Sequence, residues 1–115
     1  MDDATIVVIS TTFPDSAAAN ACAERLVGAG LAACAQVEGP VSSTYRWEGR
    51  VERAEEWRLV CKTSRAAGAS CREALEAAHP YDLPQLVWLE CRASAGYAAW
   101  VERSTGGTAP QAGES

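Results

Sequence analysis

An α+β domain follows from three features of this 115-residue sequence. Strand-type runs and helical patterns succeed one another in the order β-α-β-β-α-β, with a short helix after the last strand. The strand runs are rich in valine, isoleucine, threonine and aromatic residues, whereas the helical runs repeat small apolar residues at a spacing near four. Glycine, proline and capping residues mark most of the joints between them.

The first run, "TIVVIS" from Thr5 to Ser10, is a continuous β-branched stretch of the kind that forms a buried strand, and "TTFP" is expected to break it. Asp15 and Ser16 offer helix N-caps, and Ala18, Cys22 and Leu26 recur on one face of a helix reaching about Val27. Gly28 and Gly30 stop it. "LAACAQV" alternates, placing Leu31, Ala33, Ala35 and Val37 on one face and Ala32, Cys34 and Gln36 on the other. Gly39 and Pro40 then call for a bend or bulge. The strand resumes as "VSSTYRW", with Val41, Ser43, Tyr45 and Trp47 aligned, and "EGR" turns the chain. "VERAEEWRLVCKTS" is a long return strand with Trp57, Leu59 and Cys61 on one face and Arg58, Val60 and Lys62 on the other. Ser64 caps a second helix with Cys71, Leu75 and Ala78 inward, and Pro80 prevents that helix from passing His79. "QLVWLECRA" is the fourth strand, and "SAGYAAWVER" a short helix carrying Tyr97, Trp100 and Val101.

This order is the ferredoxin-like one, a single antiparallel sheet with two helices on one face. Residues 1–103 are expected to form one domain, and the polar, glycine-rich segment 104–115 a disordered C-terminal tail. A strand from Val51 to Ser64 spans roughly 46 Å at about 3.3 Å per residue. A compact domain of this size is only roughly 34 Å across. The hairpin must overhang its own domain, carrying Tyr45, Trp47 and Trp57 with it. Those rings, together with Ala32, Val60, Leu86 and Trp88 on the face opposite the helices, predict an oligomer.

Composition narrows the function. A net charge of −5, without a basic stripe, argues against nucleic acid. No apolar run approaches the roughly 20 residues of a membrane span. The acidic start "MDDATIVVIS" does not resemble a signal peptide, so a cytoplasmic protein is expected. The five cysteines form no C-x-x-C pair and match no zinc spacing. Cys22, Cys61, Cys71 and Cys91 read as small buried hydrophobes. No nucleophile with a base and orienter is assembled around the one histidine, and no phosphate-binding glycine loop of the usual types occurs, so no enzymatic activity is expected.

Two ionisable residue types occur once each, His79 and Lys62. The bland reading of His79 is an imidazole at the negative end of a helix, and that of Lys62 a strand-end surface charge. The functional reading puts both in a cleft. Neutral imidazole ligates copper or zinc, and a compact ammonium suits an anion where nine arginines were not used. By strand alternation Cys34 and Lys62 share the face away from the helices, where the Cys34 thiolate would favour copper(I). Glu52, Glu55 and Glu56 read as solvated partners of the hairpin arginines.

"LAACAQV", "STYRWEGRVERAEEWRLVCKTS" and "HPYDLPQLVWLE", in this order, resemble the CutA divalent-cation-tolerance family over about Ile6 to Val101. The resemblance implies a cytoplasmic homotrimer similar in fold to PII signalling proteins, with long hairpins sheathing neighbouring subunits. It implies tolerance of divalent metals and binding of a metal ion, copper above all. Cys34 matches the family's "AAC", Trp47, Glu48 and Gly49 its hairpin tip, Lys62 and Thr63 its "KT", and His79, Pro80 and Tyr81 its "HPY". Gln85 stands where many members have glutamate, and Ser10 and Thr11 where some have a cysteine. The expected metal ligands are Cys34 and His79, the expected cleft Lys62, Thr63, Tyr81, Gln85 and Glu48, and the expected interface Tyr45, Trp47, Trp57 and Trp88. The alternative is a PII-like signalling trimer that binds a small anion or nucleotide in its intersubunit clefts through Lys62.

Overall fold

The structure, a computed structural model, describes residues 3–105. Its elements are β1 (Asp3–Phe13), α1 (Ser16–Gly28), β2 (Cys34–Trp47), β3 (Arg50–Thr63), α2 (Arg65–Ala78), β4 (Val87–Ser94) and α3 (Ala95–Ser104). The strands form one antiparallel sheet in the order β2-β3-β1-β4, as the ferredoxin-like arrangement requires. Each helix starts on a side-chain cap: Asp15 Oδ1 accepts from the Ala18 N–H at 2.7 Å, and Ser64 and Ser94 do the same for Ala67 and Tyr97. Such a cap contributes about 1 kcal/mol.

Alternation along β1 and β3 divides the apolar residues between two cores. Val7, Ile9 and Phe13, with Leu59 and Cys61, meet Cys22 and Leu26 of α1 and Cys71 and Leu75 of α2. On the other face Ile6, Val8, Cys91 and Ala93 meet Ala98 and Val101 of α3. The third helix therefore covers part of the sheet's second face, along β1 and β4.

Several expectations give way to the structure. Thr11, Thr12 and Phe13 extend β1 and pair with Leu59, Arg58 and Trp57, because threonine and phenylalanine suit a strand and only Pro14 stops it. β2 begins at Cys34, since the Leu31 and Ala32 N–H groups donate back to the Leu26 carbonyl at the end of α1. The expected alternation fails over that segment: Ala32 enters the two-helix core and Ala33 the core under α3. Trp88 lies opposite Ile9 on the two-helix face, under the Arg72 guanidinium at 4.1 Å, and Leu86 packs against the same core. Ala78 is exposed, and Ala67 and Gly68 face inward instead.

The hairpin dominates the outline. Only residues 57–63 of β3 pair with β1, so residues 50–56 are held by β2 alone. Each hairpin strand has 14 residues, and the molecule is 47 Å along its longest axis. Glu48 (φ 50°) and Gly49 (φ 80°) make a two-residue turn with both φ angles positive, which matches the right-handed twist of the strands. A bulge between Glu38 and Val41 shifts the register, so that Val37 faces Leu59 but Val41 faces Glu56. Trp57 is half-buried here, packed on its own subunit's core and over Gly39, where a Cβ would lie 2.6 Å from the indole. At the other end the Thr105 hydroxyl donates to Ser64 Oγ at 2.8 Å, so the folded part reaches past residue 103. The expected tail otherwise lies outside the described residues.

Candidate functional site

His79 ends α2 in an extended conformation (φ −75°, ψ 139°), as the following proline demands. Its ring stacks on Phe13 with centroids 4.6 Å apart. Nδ1 accepts the Tyr81 N–H at 3.1 Å, which leaves the proton on Nε2. Nε2 then donates to the Thr12 carbonyl at 2.8 Å, with Thr11 Oγ1 3.0 Å away. Burial pushes the imidazole pKa below its ordinary 6.5, although the Thr12 carbonyl and Glu56 oppose the shift. A neutral ring with both nitrogens engaged fastens the chain after α2 to the end of β1.

That fastening builds a cavity of about 740 Å³ between the segment 80–85 and the hairpin. Tyr81 and Gln85 line it from one side, Tyr45, Trp47 and Glu56 from the other. The Tyr81 hydroxyl donates to Glu56 Oε2 at 2.9 Å, and Thr12 Oγ1 donates to Gln85 Oε1 at 3.4 Å. Burial, then the Glu56 carboxylate, pushes the Tyr81 phenol up to about 12, so it stays protonated and donating.

Cys34 and Lys62 stand elsewhere. They face one another across β2 and β3 on the face away from α1 and α2, as expected, and Lys62 Nζ donates to Gln36 Oε1 at 2.8 Å. The Tyr97 phenol of α3 lies near the Cys34 thiol, and its pKa is raised by burial and then by Cys34. Lys62 pairs with Val8, and Thr12, beside His79, is four residues further along β1, about 13 Å away at strand spacing. Within one subunit the expected single cleft is therefore two sites. No three metal-ligating side chains converge among the described residues.

Two further residues fall outside the cavity. Thr63 is buried, and its hydroxyl donates to the Leu31 carbonyl at 2.7 Å, fixing the link between α1 and β2. Glu48 occupies the exposed hairpin tip. The sequence reading missed Tyr97 as the partner of Cys34, and took Glu56 for a solvated pairing residue when it is the acceptor for Tyr81. Glu52 keeps the expected role, 3.6 Å from Arg50.

The profile described as CutA1 divalent ion tolerance protein matches residues 7–104. This chain belongs to the CutA1 family. It is similar to the divalent-cation tolerance protein CutA of Thermus thermophilus, with 34% identity over 100 residues, 86% of this chain and 97% of that one. The solved Cut A1 structure from the same organism superposes with a TM-score of 0.83 at 33% identity, covering 88% of this chain and 99% of that one. CutA1 from Oryza sativa gives 0.84 at 28% identity, covering 90% and 96%. Such coverage places the long hairpin, the cavity and the Cys34 face inside the shared fold of the CutA1 family.

Proposed function

We propose that this chain is a homotrimeric divalent-cation tolerance protein of the cytoplasm that binds metal ions, copper foremost, through Cys34. The position of Cys34 carries the reading. Cys22, Cys61 and Cys71 are sealed in the two-helix core and Cys91 packs against the core under α3, whereas the half-buried Cys34 thiol stands beside Lys62 on the second sheet face. A soft thiolate selects copper(I) over hard cations. One thiolate is not a complete site, and copies of the same face brought together in a trimer supply the remaining donors. Assembly is supported by the overhanging hairpin, with Tyr45, Trp47 and Val51 exposed, and by exposed Val87 and Leu89 on the edge strand β4. Five cysteines without a disulfide between them support the cytoplasm.

His79 serves in this reading as the clasp beneath the cavity, with its lone pair already used. Competition with a copper(I) chelator tests the assignment. Wild type should withdraw copper(I), Cys34→Ser should do so at least tenfold more weakly, and His79→Ala should match wild type. Equal affinity in wild type and Cys34→Ser removes Cys34 from the site.

Lys62 supports a second reading, a PII-like trimer that binds a small anion or nucleotide. Its ammonium lies on the same face, beside Gln36. Calorimetry with ATP separates the two: heat that disappears in Lys62→Met but persists in Cys34→Ser favours the anion.

A further inference from the structure

The cavity beneath the hairpin is chemically distinct from the Cys34 face. Three aromatic rings, Tyr45, Trp47 and Tyr81, line it together with two carboxylates, Glu56 and Asp82. No lysine, arginine or histidine is among the residues lining it. Three arginines stand opposite lining residues: Arg50, opposite Trp47, lies 3.6 Å from Glu52; Arg58, opposite Thr12, lies 3.8 Å from Glu38; and Arg53, opposite Thr44, alternates to the strand face away from Glu56. We propose that this cavity binds a small organic cation, an ammonium or guanidinium group carried on an apolar body.

The chemistry selects that class over its rivals. An anion would meet two carboxylates with no opposing charge. A bare metal ion would find no three carboxylates, imidazoles or thiols converging among the described residues, and the rings replace none of its hydration shell. An organic cation satisfies both halves: its charge faces Glu56, Asp82 and the faces of the rings, and its carbon skeleton covers the aromatic walls and Leu83. The volume suits a small ligand, since such pockets commonly run from roughly 300 to 1,000 Å³. Glu56 is held for the purpose by the Tyr81 hydroxyl, and Tyr81 by the His79 clasp on its own backbone N–H. The sequence feature that the metal reading left unused, a histidine followed by proline and tyrosine, thus positions a wall of this site.

This inference does not depend on copper binding at Cys34, and its test is separate. Trp47 also belongs to the proposed subunit contact, so the protein is examined as it assembles. Calorimetric titration with three probes of similar skeleton and different charge reads the selectivity directly: phenethylammonium, phenethyl alcohol and phenylpropionate. The ammonium should bind at least tenfold more tightly than the alcohol, and phenylpropionate should be the weakest. Glu56→Gln should remove that tenfold margin and leave the alcohol's affinity within twofold. Asp82→Asn, on the exposed segment after α2, should narrow the margin and serves as a second variant if Glu56→Gln does not fold. Binding of all three probes alike, tighter binding of phenylpropionate, or no binding at millimolar concentration would overturn the proposal. The last result is also what a cavity filled by a neighbouring copy would give.

Discussion

A single imidazole holds the segment after α2 in place, and its protonation should be visible in stability. The folded value lies below 6.5, because burial disfavours the charged ring. The unfolded chain therefore takes up the proton first as pH falls. The clasp contributes fully above about 6.5 and weakens as pH drops from there towards the folded value. Thermal melts at pH 7.5 and 5.5 should show a larger loss for wild type than for His79→Gln, and equal losses would mean that the ring does not titrate with folding. At neutral pH, His79→Ala should cost about 1–3 kcal/mol, measured by urea unfolding, through the lost bonds to Thr12 and Tyr81. The sequence showed why the chain must leave the helix at His79, since proline acts on its immediate neighbour. It could not show that both ring nitrogens are used, because Thr12 is 67 positions away. The partnership of Cys34 with Tyr97 was hidden for the same reason.

Among the elements, the hairpin shows where strand alternation can be trusted. Alternation correctly placed Cys34 and Lys62 on one face and Leu59 and Cys61 on the other. It failed at residues 31–33, where two N–H groups turn back to the Leu26 carbonyl, and it changes phase at the bulge by Gly39 and Pro40. Both interruptions stand beside glycine, so their location was legible although their geometry was not. Gly39 has a steric reason to be glycine: a Cβ there would lie 2.6 Å from Trp57 Cδ1 and 3.1 Å from the Glu56 carbonyl. Gly39→Ala should push Trp57 off the core and destabilise the fold by about 1–3 kcal/mol, as overpacking does. Urea unfolding within about 0.5 kcal/mol of wild type, the range of a neutral surface change, would show that the indole can yield at no cost.

In the whole molecule, the hairpin outreaches the domain that carries it. Its outer residues pair with no strand other than their own partner, and Tyr45 and Trp47 keep 44% and 47% of their surface exposed. The proposed trimer places a neighbour against the hairpin. Replacing both with alanine should weaken assembly by at least tenfold, read by sedimentation over a dilution series, with the monomer fold preserved because neither ring belongs to either core. An unchanged sedimentation profile would place the contact elsewhere. The proposed function joins assembly to metal binding, since in it the Cys34 face becomes a complete site only when subunits meet. Native mass spectrometry of the reduced protein with copper(I) reads both at once. Wild type should give a species of three 12.1 kDa chains carrying copper, and Cys34→Ser a copper-free trimer. A monomer, or a trimer that binds copper equally well without the thiol, would contradict this coupling.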